Sequence, residues 1–223
     1  NSFLIQKNLD IQKNCLVFDI NQGCSGYIYG LKVAESLLNS KEIKKILLIT
    51  TDNYSKYSKK LNVKLLFSDC ATASILVKSK TKVKFKFFSD GRNYSNLCQQ
   101  NDNYIGSINN NSLYMNGNKL FNFSLNVVPN LINELMRKNK IKKDYLDFIL
   151  LHQASRIINE NIMNKLEINK NKFMINYNKF GNTVSSTIPL LICENFKKLK
   201  NKKILLCGFG VGLSAASCFY EFK

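Results

Sequence analysis

Short apolar runs alternate with amphipathic stretches along the whole chain. Cys15-Leu16-Val17-Phe18 is an unbroken apolar run, the pattern of a strand buried on both faces. From Tyr27 to Leu38, Ile28, Leu31, Val33, Ala34, Leu37 and Leu38 recur at helical spacing. The same alternation predicts strands near 15–19, 45–50, 64–68, 73–79, 82–88, 147–151, 173–176, 203–208 and 213–221. It predicts helices near 25–39, 119–138, 156–166 and 185–199. Lysine alternates with apolar residues from Lys82 to Phe87, so that strand reads as half exposed. Residues 89–112 are polar, rich in Asn, Gly and Ser, and without period, and read as a long loop of the kind that covers a substrate tunnel. The organisation is α/β, in two halves that meet near the chemistry: 1–88, a connecting region 89–118, and 119–223.

Composition narrows the class. A chain of 223 residues buries roughly 70% of its unfolded surface, enough for one or two cores. No apolar run approaches the ~18 residues of a membrane span, and the start carries no signal-peptide pattern, so the expectation is a soluble, cytoplasmic protein without a membrane partner. Seven cysteines, an odd number with no CxxC pair, argue against a disulfide framework or a zinc site. A single histidine argues against a histidine-rich metal site. The net charge of +18 suggests nucleic acid at first sight. The lysines, however, are spread along the chain, with no arginine-rich arm or aromatic-interleaved basic motif. Solvated faces explain them, and no nucleic-acid partner is expected.

Candidate chemistry begins at Cys24. It lies in Asp19-Ile20-Asn21-Gln22-Gly23-Cys24-Ser25-Gly26-Tyr27, at a strand-to-helix turn and near a helix N-terminus. Unpaired backbone N–H groups and the positive dipole end there favour a thiolate, lowering a thiol that otherwise titrates near ~8.5. The bland alternative is a buried filler. Cys15, Cys193, Cys207 and Cys218 fit that reading, in apolar strands or helices. His152, the one histidine, follows the apolar run Phe148-Ile149-Leu150-Leu151 and precedes a helix. The carboxyl edge of open α/β sheets is where ligands collect. Asn182 follows Gly181 and precedes an apolar helix; taken alone, Gly181-Asn182-Thr183 reads as a turn with Ser/Thr capping. Gly208-Phe209-Gly210-Val211-Gly212 lies between two apolar runs. A strand follows the glycines rather than the helix of a dinucleotide site, so the segment reads as a tight hairpin that approaches a ligand closely.

These segments, DINQGCSGY, HQAS, GNTVSSTIP and GFGVGLS, in this order, resemble the ketoacyl-acyl-carrier-protein synthase III family, of thiolase-like fold. Phe67-Ser68-Asp69-Cys70-Ala71-Thr72-Ala73 resembles that family's FGDGAGA segment. The resemblance implies two related βαβ-containing halves with mixed five-stranded sheets and helices in layers. It implies a Cys-His-Asn site at Cys24, His152 and Asn182, an oxyanion hole from the N–H groups of Cys24 and Val211, and Phe209 as an apolar promoter of decarboxylation. It also implies acyl-CoA and acyl-carrier-protein thioesters as substrates, no metal or redox cofactor, and a homodimer. Arg156 is the candidate for carrier docking, on a basic rim that would steer an acidic carrier. The segment ending at Phe67 is the better candidate for the dimer seam, which would bury more than ~1,200 Å².

The sequence departs from the family pattern where Ser68, Cys70 and Thr72 replace glycines and where Val211 replaces the middle glycine of the last loop. Cys24 also stands almost at the start, where the family carries several strand–helix units. The chain therefore reads as the C-terminal portion of a longer protein, with its first half incomplete. The activity implied is a decarboxylative Claisen condensation through an acyl-cysteine. The alternatives are an acyltransferase on the same scaffold without carbon–carbon bond formation, and a non-catalytic fragment or partner subunit.

Overall fold

In the computed structural model, which describes residues 1–56, 64–100 and 112–222, the chain opens with α1 (Ser2–Asn8), α2 (Gly26–Leu38), β1 (Lys45–Asp52), β2 (Cys70–Val77) and β3 (Lys84–Ser89). It continues through β4 (Leu97–Gln100), β5 (Ser112–Met115), α3 (Gly117–Lys138), β6 (Phe148–Leu151) and α4 (Arg156–Leu166). Then come β7 (Phe173–Met174), α5 (Tyr177–Phe180), α6 (Thr187–Glu194), α7 (Phe196–Leu199), β8 (Lys202–Gly210) and β9 (Ser214–Phe222).

A mixed five-stranded sheet in the order β3-β9-β8-β6-β7 dominates. β6 runs parallel to β7 and β8, while β9 is antiparallel to β8 and β3. The parallel pair β6–β7 requires a crossover, which α4 supplies, and β8–β9 closes as a hairpin. Both faces are covered, which is why β8 reads as a continuous apolar run. Side chains alternate along it. Leu205, Cys207 and Phe209 pack with Val128, Leu135 and Ile162 of α3 and α4. Ile204 and Leu206 pack with Tyr27, Ile28 and Leu191 of α2 and α6. Two caps fix the helix starts: Asn116 accepts from Lys119 N, and Ser155 accepts from Ile158 N.

The first half is thinner. β1 and β2 form a two-stranded antiparallel sheet, with Thr50 opposite Thr72. β2 alternates between half-buried and exposed positions, and Ile75 is 74% exposed. The helix α2 touches β1 on one side and β8 and β9 on the other.

Several sequence expectations change here. Residues 15–19 form no strand, and Leu16 is 62% exposed. An apolar run becomes a strand only where neighbours complete its ladder, and no described strand lies against it. Residues 64–68 form no strand either. Leu66 O accepts from Asn182 N, and Ser68 N donates to Asn182 O, so this backbone pairs with a turn and leaves a single bridge at Phe67. The expected loop 89–112 contains a 3₁₀ turn, Gly91–Asn96, and the strand β4, which pairs antiparallel with β5 at the loop's far end; 101–111 lie outside the described residues. A division at residue 88 does not follow the sheets, because β3 pairs with β9 and belongs with the second half. Its lysines fit an edge strand, and Lys86 pairs with Glu134 of α3. Cys15 and Cys193 are exposed rather than buried. Among the described residues, no helix is long and apolar enough to cross a membrane.

Candidate active site

Cys24 sits two residues before α2 and is buried. The β8–β9 hairpin holds it from the other side. A Cβ on Gly208 would come within 2.6 Å of Cys24 O, and one on Gly210 within 2.8 Å of Cys24 Sγ. Only glycine admits this approach. A buried cluster locks the two turns together. Gln22 Nε2 donates to Ser25 Oγ and Ser214 Oγ, both at 2.8 Å, and Ser214 Oγ donates to Val211 O at 2.6 Å. The backbone N–H groups of Val211 and of Cys24 itself both favour the charged form of the Cys24 sulfur. These are the same two N–H groups that the family resemblance names as oxyanion donors.

His152 follows β6 directly and is 1% exposed. Its N–H extends the ladder to Cys207 O at 2.8 Å, and its carbonyl accepts from Asn159 Nδ2 at 3.0 Å. Its Nδ1 lies 2.8 Å from Thr187 Oγ1. The ring meets Phe209 edge to face, with centroids 5.4 Å apart and planes at 85°.

Asn182 is fixed by its neighbours. Its Oδ1 accepts from Val184 N at 2.9 Å, and its Nδ2 donates to Ala154 O at 3.2 Å. A backbone N–H on Oδ1 settles which end of the amide carries the hydrogens. The turn that carries Asn182 is braced from the first half. The Asp52 carboxylate accepts from Ser185 N at 3.0 Å and from Ser185 Oγ, and Ser186 Oγ meets Thr50 Oγ1 at 2.9 Å. Val184, between these contacts, has φ +52°. That is an outlier for a β-branched residue, and such strain collects at functional sites.

Cys24, His152, Asn182, Phe209 and Val211 line one apolar cavity of about 250 Å³. Leu97 and Cys98 of β4 and Leu113 and Met115 of β5 form another wall, so the region expected as a covering loop does reach the site. Arg156 does not line the cavity. It stands exposed at the start of α4 and pairs with Glu160 at 2.8 Å. Asp52, Tyr54 and Thr187 also belong to the site and escaped the sequence reading. The site's own motifs do not contain Asp52 or Tyr54, and the capping pattern around residue 187 concealed the contact to His152. Among the described residues, no three His, Cys, Asp or Glu side chains cluster to hold a metal ion.

Burial pushes the Cys24 thiol up to about 12, the nearby Asp52 carboxylate adds to this, and the two N–H groups oppose it. This departs from the expectation of a resting thiolate: loss of hydration outweighs the two N–H groups. Burial also lowers His152 to about 3, and the Val184 backbone opposes the shift by favouring the charged ring. At neutral pH the site therefore holds an uncharged thiol and an uncharged imidazole. Burial raises the Asp52 carboxyl, and Ser185 opposes the shift. Tyr54 rises to about 12 through burial, with Cys24 and Asp52 adding to it.

Comparison with known proteins gives this arrangement its context. Residues 18–91 match the family model 3-oxoacyl-[acyl-carrier-protein] synthase III, and residues 136–222 match the model of that family's C-terminal part. The chain is 31% identical over 240 aligned residues to the beta-ketoacyl-[acyl-carrier-protein] synthase III of Clostridium tetani, across 98% of this chain and 72% of that one. The chain belongs to the 3-oxoacyl-[acyl-carrier-protein] synthase III family. A synthase III of Clostridium botulinum is 36% identical over 218 residues, covering 90% of this chain and 66% of that one. The chain thus spans about two thirds of the length of the curated relatives it matches. A 3-oxoacyl-(acyl-carrier-protein) synthase III crystal structure superposes with a TM-score of 0.92 at 32% identity, covering 99% of this chain and 73% of that one. A synthase from Burkholderia xenovorans gives 0.93 at 31% identity, with 99% and 68% covered. The thiolase-like α/β fold is therefore that of the family.

Proposed function

We propose that the chain carries out a decarboxylative Claisen condensation between an acyl thioester and a malonyl thioester. One observation carries the reading: a single apolar cavity gathers a thiol under two backbone N–H groups, an uncharged imidazole and an oriented amide. Cys24 attacks the acyl thioester, losing its proton as the carbon–sulfur bond forms, and the departing thiolate takes up a proton. The N–H groups of Cys24 and Val211 receive the oxyanion of the tetrahedral intermediate. In the second step the malonyl carboxylate leaves as carbon dioxide. The electron pair of the broken carbon–carbon bond becomes an enolate, whose oxygen accepts hydrogen bonds from His152 Nε2 and Asn182 Nδ2. The enolate carbon attacks the carbonyl of the acyl-cysteine, the carbon–sulfur bond breaks, Cys24 leaves as a thiolate that regains its proton, and the product is a 3-ketoacyl thioester.

The uncharged state of His152 fits this role. A neutral donor stabilises the enolate without forming an ion pair that would hold the carboxylate in place. Phe209, edge-on to the imidazole, keeps that end of the site apolar. The chemistry calls for no metal or redox group, since the substrate supplies both electrons of the new bond. Coenzyme A and an acidic acyl carrier protein are the thioester carriers in this reading. The net charge of +18 supports steering of the latter, with Arg156 beside the site. The working form in this reading is a cytoplasmic homodimer. Acetyl-CoA and labelled malonyl-carrier-protein test the function. The expected result is an acyl adduct on Cys24 by intact mass, release of labelled carbon dioxide and a 3-ketoacyl product. An adduct that passes to another acceptor with no carbon dioxide released rejects condensation.

A further inference from the structure

Thr187 connects to no ligand in the reading above, yet its hydroxyl lies against the ring nitrogen of His152 that faces away from the chemistry. That hydroxyl has one proton and two neighbours able to accept it: His152 Nδ1 at 2.8 Å and Val184 O at 3.2 Å. The two choices give opposite histidines. If Thr187 donates to Nδ1, the proton of the neutral ring sits on Nε2. If Thr187 donates to Val184 O, Nδ1–H donates to Thr187 Oγ1, and Nε2 is left with a bare lone pair.

The distances separate the two. Hydroxyl hydrogen bonds to oxygen cluster at about 2.7–2.8 Å and rarely exceed ~3.0 Å. The contact to Val184 O lies beyond that range, and the contact to Nδ1 is of ordinary length. Thr187 and His152 are each 1% exposed, so bulk solvent does not compete for this hydroxyl. The Val184 carbonyl, set in place by the strained φ of +52°, is the acceptor that would take an Nδ1 proton if the hydroxyl were removed.

We propose that Thr187 is a positioning residue that sets the tautomer of His152, donating its hydroxyl proton to Nδ1 so that Nε2 presents an N–H to the cavity. The proposal deepens the condensation reading, because an Nε2 donor is what an enolate oxygen needs, and it rests on that reading for its catalytic consequence. The tautomer itself is independent of any activity. A group behind the imidazole that fixes which nitrogen carries the proton is a recurrent device, and a wrong tautomer is costly even when the ring keeps its place.

The chain has one histidine, so the test reads a single ring. The full chain, labelled with ¹⁵N-histidine, gives the protonation of each nitrogen from long-range ¹H–¹⁵N correlation at pH 7. The expected result is Nε2–H in the wild type and in Thr187→Ser, and a shift to Nδ1–H in Thr187→Val. Malonyl decarboxylation should fall by roughly 10²-fold or more in Thr187→Val and return to within several-fold in Thr187→Ser. Nδ1–H in the wild type overturns the proposal, even if the valine variant does not fold. Nε2–H retained in a folded Thr187→Val overturns it as well. A tautomer that shifts as expected while decarboxylation holds supports the role of Thr187 and rejects the catalytic role of His152.

Discussion

The sheet of the second half is sealed on both faces, with Leu205, Leu206, Ile149 and Leu150 at 0% exposure. The two-stranded sheet of the first half leaves one face open, with Leu47 and Ile75 at 41% and 74%. The candidate site draws on both. Cys24 belongs to the first half by sequence, but the glycines of β8 and the Gln22–Ser25–Ser214 cluster fix it against the second. Asn182 belongs to the second half, but Asp52, Leu66 and Ser68 brace its turn from the first. The site therefore takes its rigidity from contacts across the junction rather than from the β1–β2 sheet itself. In the proposed reaction, acylation and decarboxylation fall on the two sides of that junction, and each is expected to break separately.

The largest effects are expected at the chemistry. Cys24→Ala should abolish the acyl adduct while malonyl decarboxylation persists, since His152 and Asn182 remain. His152→Ala or Asn182→Ala should do the reverse: the adduct accumulates, and decarboxylation falls by roughly 10²-fold or more. Intact mass and release of labelled carbon dioxide read the two steps. Equal loss of both in all three variants would erase the division between the halves.

Stability should divide in the same way. Leu205→Ala empties a position closed on every side and should cost about 2–5 kcal/mol by urea unfolding. Ile75→Ala, on the open face, should stay within about 0.5 kcal/mol. Comparable costs would mean that the outer face of the β1–β2 sheet is covered in solution.

The buried, uncharged groups give a pH dependence that belongs to the site. His152 titrates at about 3 when folded against 6.5 otherwise, so the unfolded chain binds the extra proton. Its contribution is full above 6.5 and is lost as pH falls towards about 3. Cys24, raised from 9.0 to about 12, contributes fully below 9.0 and loses that contribution as pH rises towards about 12. Urea midpoints between pH 7 and 4 should drop less steeply in His152→Gln than in the wild type. Parallel slopes would mean that the imidazole is hydrated in the folded protein.

A smaller effect, in rate only, concerns the thiols. Iodoacetamide at pH 7 should modify the exposed Cys15 and Cys193 before the buried, protonated Cys24. Peptide mapping gives the order. Early modification of Cys24 would restore a resting thiolate.

Much of this molecule was written locally. The helical spacing from Tyr27 to Leu38, the two-sided apolar run of β8 and the glycines around Phe209 each specify their element, because periodicity and backbone freedom act over a few residues. The motif order was enough to reach the family, and it singled out Cys24, His152 and Asn182, which the fold brings to one cavity. What the sequence could not determine depends on distant partners. The run Cys15–Phe18 has the composition of a strand and yet forms none, since a ladder needs a neighbour. β3 looks like part of the first half and pairs with β9, because register and edge position are tertiary choices. The protonation of Cys24 was decided by burial, which no local pattern records, against a helix N-terminus that any local reading would favour. Thr187 reads as a capping residue in sequence, and only the fold sets its hydroxyl 2.8 Å from a histidine that stands 35 positions away.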